Sequence, residues 1–123
     1  MVQNLGNLFI DGEGVIEDKT GNHILTNVDD VVITTLTKVY GDSSLGFNGT
    51  NYLTAPDHSD FSLSTNDFPI DTFVNFGTIG DRYEQIISKY QHDPEESSSW
   101  VLDMIASHHV RFLAFTDIGT ILI

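Results

Sequence analysis

The chain of 123 residues contains no cysteine. That excludes a disulfide framework, a thiolate-held metal and a cysteine nucleophile. Basic residues are scarce as well: five Lys and Arg stand against eighteen Asp and Glu, a formal net charge of −13. A surface of that sign repels nucleic acid and anionic membranes, both of which need a basic patch, and it suits solubility, cations or a basic partner. No apolar run approaches the roughly 20 residues needed to cross a bilayer as a helix. Residues 1–7, MVQNLGN, lack a basic segment followed by an apolar one, so no secretory leader is expected in the sequence as it stands. No segment repeats apolar residues at i, i+3, i+4 and i+7 over more than about two turns, which leaves no amphipathic surface helix. Internal repeats, low-complexity tracts and linker-like composition are also missing, and the length fits one domain spanning 1–123.

What is present is short strands separated by Gly, Asn, Asp and Ser. Eight Phe, four Tyr and one Trp supply the apolar area for a core. The organising stretch is 44–76, SLGFNGTNYLTAPDHSDFSLSTNDFPIDTFVNF. In it, strands at 44–47 and 52–55 flank Asn48-Gly49-Thr50-Asn51. That motif spells a glycosylation sequon but reads better as a tight turn in which Gly49 supplies a positive φ. A long strand follows at 68–76, with Phe68, Ile70, Val74 and Phe76 on one face and Phe73 on the other. Further strands are expected at 5–10, 24–25, 31–35, 85–90, 100–105, 109–115 and 120–123, with 15–23 as a short strand or extended piece running into a turn at Thr20-Gly21-Asn22 and Asn27-Val28-Asp29-Asp30 as a separator. On 100–105, Trp100, Leu102 and Met104 share a face. The class is therefore all-β, an antiparallel sandwich or barrel, in which Phe47, Phe68, Ile70, Val74, Trp100 and Phe112 are expected to meet in one dry layer. The final residues are apolar and β-prone, so a partner subunit or a longer chain is expected to cover them.

Several elements, in order, resemble the concanavalin A-like lectin/glucanase fold of the laminin G-like kind. Ser44-Leu45-Gly46-Phe47-Asn48-Gly49 resembles that family's "sl-F-dG" strand and turn, and Tyr52-Leu53-Thr54-Ala55-Pro56-Asp57 its "YL-vP" element. Asp60-Phe61, with Asn66-Asp67-Phe68-Pro69-Ile70-Asp71-Thr72-Phe73-Val74, resembles "dF … gdFtiefWv". Gln85-Ile86-Ile87-Ser88 and Trp100-Val101-Leu102 resemble "q-lis … W-l". The match runs over roughly 5–115. Phe73 stands where the family has Trp, and the late "W-hia" strand and "DG" hairpin are missing. The resemblance implies a jelly-roll-like β-sandwich, shortened at the C-terminus and completed by a partner subunit.

Glycoside hydrolysis needs two carboxylates facing one bond, about 5–9.5 Å apart. The superfamily's hydrolases place them close to E-x-D-x-x-E on one strand, and nothing here matches. Asp67, Asp71 and Asp103 read as loop or outward-facing acids, and no enzyme is expected. Lectins of the superfamily hold Ca²⁺ in loops, and Asp57-His58-Ser59-Asp60 offers closely spaced oxygens, so Asp57 and Asp60 are the candidate calcium ligands. The loop Asn27-Val28-Asp29-Asp30 is a second such cluster, which Asx turns also explain. His23, His58 and His92 fall in polar loops without ligand spacing. His108-His109 would face opposite ways on a strand and read as a turn. Sugar binding needs aromatic platforms and planar hydrogen-bonding groups, for which Asn51, Tyr52, Arg82, Tyr83 and Tyr90 are the candidates.

Two functions follow. The first is a non-catalytic structural or decoration component of a virus (phage) particle, located in the virion and docking on copies of itself or on other virion proteins; jelly rolls recur in viral shells. The alternative is a carbohydrate-binding lectin or adhesin module, calcium-assisted, at a cell surface or outside the cell. Fold alone does not choose between them.

Overall fold

The computed structural model describes residues 3–4, 9–11, 14–39, 41–62, 69–77, 83–89, 99–106, 108–116 and 119–122. Among them every strand pairing is antiparallel, and the only helical element is a three-residue 3-10 turn, Ser59–Phe61. The all-β antiparallel class is therefore observed. The strands form small sheets, without a closed jelly roll among the described residues. Contacts divide the chain into two compact units, Met1–Asn75 and Phe76–Ile123.

In the first unit, β1 (Gln3–Asn4), β2 (Phe9–Asp11) and β3 (Glu17–Asp18) form a three-stranded sheet. Then β4 (Thr26–Val28), β5 (Val32–Thr34), β6 (Ser44–Gly46) and β7 (Tyr52–Thr54) follow, with β5 paired to β6 and β4 to β7. The turn at 48–51 thus does not join two partners, as the sequence suggests. These four strands are one long hairpin, bent in the middle. The pairs Val28↔Tyr52 and Val32↔Gly46 leave three residues on one arm facing five on the other. The short arm turns at Asp29 (φ 55°) and Asp30 (φ 64°), the long arm at Gly49 (φ 90°). Asp tolerates this left-handed region better than most residues because its side chain can bond locally. The separator expected at 27–30 shrinks accordingly to Asp29 and Asp30, with Thr26–Val28 in the ladder.

Side-chain amides hold the bend. Asn27 accepts from the Val31 amide and donates to the Val31 carbonyl, both at 2.8 Å. Asn51 accepts from the Asn48 amide at 2.8 Å and donates across the bend to the Asp30 carbonyl at 3.0 Å. Ile10, Val31 and Leu45 are the buried centre of this unit, with Ile16, Leu25, Leu53 and Phe61 packed against it. Phe47 is 46% exposed and so lies outside any dry layer; the strand that carries it ends at Gly46. Phe68 lies outside the described residues.

The long strand expected at 68–76 is realised only in its alternation. From Pro69 to Gly77, outward and half-buried positions alternate at every residue, with Ile70, Thr72, Val74 and Phe76 turned inward and Phe73 outward. Only Asp71 forms a bridge, and the rest of the described stretch has no ladder.

The second unit is a four-stranded meander of β8 (Glu84–Lys89), β9 (Trp100–Ile105), β10 (His109–Thr116) and β11 (Gly119–Leu122), in the order β11-β10-β9-β8. Its interior strand β9 buries both faces: Trp100 on one, Val101 and Asp103 on the other. Trp100 and Phe112 stack at 6.2 Å between ring centroids. Asp103 does not face outward as expected. It is 3% exposed and sits directly opposite Arg111 across the strand pair. Between β9 and β10 the chain turns through His108 (φ 64°), whose amide donates to the Ile105 carbonyl at 2.8 Å; of the His108-His109 pair, His108 lies in the turn and His109 opens β10. The register of β8 against β9 slips between Gln85 and Ile87.

Candidate functional site

The best-built polar site lies in the first unit and begins with Asp18 at the end of β3. Its carboxylate accepts four hydrogen bonds: from the Thr20 amide (3.0 Å), the Thr20 hydroxyl (2.6 Å), the Asn22 amide (3.2 Å) and the His23 amide (3.0 Å). The Gly21 amide donates to the Asp18 carbonyl at 3.0 Å, with Gly21 at φ 74°. A short acid followed by Thr, Gly and Asn winds the chain around itself in this way because each backbone donor finds the same carboxylate. The loop ends by turning His23 inward, where its side chain is only 3% exposed.

A second local device presents the other residues. His58 caps the turn Ser59–Phe61, its Nδ1 accepting from the Asp60 amide at 3.2 Å. This holds Asp60 toward His23 and lays the Phe61 ring 4.6 Å from the His23 ring, centroid to centroid. Phe61 in turn packs on the core of the unit. One nitrogen from each of His23 and His58 and one oxygen from Asp60 fall within 4.8 Å of one another. His23 Nε2 is 3.3 Å from Asp60 Oδ2, and His58 Nδ1 is 3.1 Å from Asp60 Oδ1. Yet His23 Nε2 is buried and makes no hydrogen bond. Buried ring nitrogens are nearly always paired, so this atom calls for a reason.

No known family, curated protein or solved structure matches this chain.

Of the two acids expected to hold calcium, Asp60 joins this group and Asp57 does not. The other calcium candidate, 27–30, is a closed turn, with the Asn27 amide satisfied at both ends by Val31 and the Asp30 carbonyl taken by Asn51. His92 lies outside the described residues.

The residues expected to bind sugar separate. Asn51 is buried at 7% exposure, and its amide is used at both ends inside the bend, so it is a structural residue and not a surface hydrogen-bonding group. Its neighbour Tyr52 is exposed on β7. Arg82 and Tyr90 lie outside the described residues. Tyr83, in the second unit, is 65% exposed, and the Arg111 guanidinium lies over its ring at 4.7 Å. Arg111 also grips Asp103 with two bonds, Nε to Oδ1 at 3.0 Å and a terminal nitrogen to Oδ2 at 2.6 Å. Those bonds raise the Arg111 pKa above the ordinary guanidinium value, against a smaller opposing effect of desolvation.

Sequence reasoning passed over His23 and His58 as partners because 35 positions separate them and loop spacing shows nothing. The one local signal was His58-x-Asp60. Arg111 and Asp103 were legible in principle as a cross-strand pair, once the hairpin between them is placed in register.

Proposed function

We propose that the chain is a non-catalytic structural module that self-associates, working as a component of a virus particle and docking on its own copies and on other virion proteins. The observation that carries the self-association is the edge strand β11. Among the described residues it is paired on one side only, by β10. Its sequence, Gly119-Thr120-Ile121-Leu122, has no charge and no proline, the devices that ordinarily blunt a strand edge. In a chain of net charge −13, such a stretch is where a second copy meets least repulsion. The virion setting is supported by the resemblance stated above, which implies a jelly-roll-like sandwich, and by the recurrence of jelly rolls in viral shells. The absence of catalysis is supported by Asp103, whose two oxygens are both engaged by Arg111.

Static light scattering over a concentration series tests the association. A mass at multiples of 13.7 kDa is expected, and a monomer at every concentration and salt overturns the reading. Virion genes flanking the reading frame are the expected setting, and metabolic neighbours would count against it.

Tyr83 favours a second reading, carbohydrate binding. An exposed ring backed by a fixed guanidinium offers a stacking face beside a planar donor. A glycan array tests it: a hit lost in Tyr83→Ala supports the reading, and an array without hits at high protein concentration removes it.

A further inference from the structure

We propose that His23, His58 and Asp60 form a site for a divalent transition metal of the zinc type, joining the 18–23 loop to the turn Ser59–Phe61. Three observations converge on it. The first is the stranded nitrogen: the His23 side chain is 3% exposed, and its Nε2 points at the cluster without a hydrogen bond. The second is a conflict at His58. Its Nδ1 accepts from the Asp60 amide, and a nitrogen that accepts there cannot also donate to Asp60 Oδ1, 3.1 Å away. On the His58 side, lone pairs of nitrogen and oxygen therefore face each other, an arrangement that a bound cation relieves. The third is spacing. In a tetrahedral site with metal–ligand bonds of about 2.0–2.1 Å, neighbouring ligand atoms lie about 3.3 Å apart. His23 Nε2 and Asp60 Oδ2 are at 3.3 Å.

The donor set selects the metal. Calcium takes hard oxygen ligands, six to eight of them. Two imidazoles and one carboxylate suit zinc and its neighbours, leaving a fourth position for water or another ligand. The gain for the fold is specific. Among the described residues the first unit has three buried apolar residues at its centre, Ile10, Val31 and Leu45, and the chain has no cysteine with which to staple it. The two segments carrying the ligands share no strand pairing. Small units with sparse cores are commonly held by a metal where disulfides are missing. The site lies within one unit and does not depend on self-association.

The test uses the full, untagged chain and zinc chloride, followed by calorimetry and by equilibrium dialysis with metal analysis. One zinc per chain is expected, saturable, undisturbed by a large excess of calcium, and accompanied by a rise in melting temperature. Since His23 is buried and its removal can unfold the unit, the variants are His58→Ala, which truncates an exposed ring, and Asp60→Asn, which keeps the shape. Each is expected to weaken zinc binding at least tenfold while leaving the far-ultraviolet circular dichroism unchanged. The proposal is overturned if the wild-type chain binds no zinc or if calcium displaces it. Binding of several zinc ions that neither variant reduces overturns it too, since the acidic surface alone would then be responsible.

Discussion

Asn51 and Asp103 are polar residues removed from water, and each is paid for by a named partner. Removing the Asn51 amide leaves the Asp30 carbonyl and the Asn48 amide without their bonds. Asn51→Ala is therefore expected to cost about 1–3 kcal/mol in urea unfolding, whereas Tyr52→Ala, on the exposed side of β7, should stay within about 0.5 kcal/mol. At Asp103 the interesting quantity is a comparison. Arg111→Met strands a carboxylate inside the sheet, so it should destabilise the second unit more than Asp103→Leu combined with Arg111→Met, which removes both charges. The fluorescence of Trp100, the only tryptophan, is a direct probe, because its ring is buried in that sheet. Because the Arg111 pKa is raised, its contribution is fully present below the unfolded guanidinium value and is lost only as pH rises through the folded one. The pair should hold across the whole neutral and mildly alkaline range, and an alkaline loss of Trp100 burial near pH 9 would contradict that. Neither role was legible in the sequence, where Asn51 looked like a surface sugar ligand and Asp103 like an outward acid. Side-chain alternation shows which residues share a face, but not which face another strand covers.

At the scale of elements, the bent hairpin depends on backbone angles that few residues adopt. Gly49 has φ 90°, and Gly49→Ala should cost about 1 kcal/mol, measured against Gly77→Ala as a control with open space around the added methyl. The stretch from Pro69 to Gly77 gives a second test, because its period-two burial predicts opposite outcomes for neighbours. Val74→Asp should cost about 1–3 kcal/mol, and Asn75→Asp should remain within about 0.5 kcal/mol. Here the sequence was informative about direction and silent about pairing. The alternation of Ile70, Thr72, Val74 and Phe76 follows from the pleat of extended backbone, so it could be read directly. Whether such a stretch finds a ladder depends on distant residues. For the same reason the 48–51 turn was legible as a turn, while the partners of the strands on either side of it were not.

For the whole molecule, charge and sheet edges pull in opposite directions. A net charge of −13 makes copies repel, with a reach near 10 Å at 0.1 M salt, while an uncharged β11 invites pairing. Association should therefore strengthen as sodium chloride is raised, which light scattering at two ionic strengths would show. Weakening with salt would place the contact on ion pairs instead, against the edge-strand account. The antiparallel β class, the lack of a long helix among the described residues and the positions of β9 and β10 were all readable from composition and periodicity. The nesting of β4 to β7 and the tertiary meeting of His23 with Asp60 were not, because both join residues far apart along the chain.

The slip between Gln85 and Ile87 also bears on how large such assemblies can grow. On the β8 rim the amides and carbonyls fall out of step, so a straight incoming strand cannot zip along it. Of the two rims of the β8–β11 sheet, the β11 rim is the one without a slip. Two copies joined there use up that rim in both. Growth through this sheet would stop at a closed pair instead of running on into a thread.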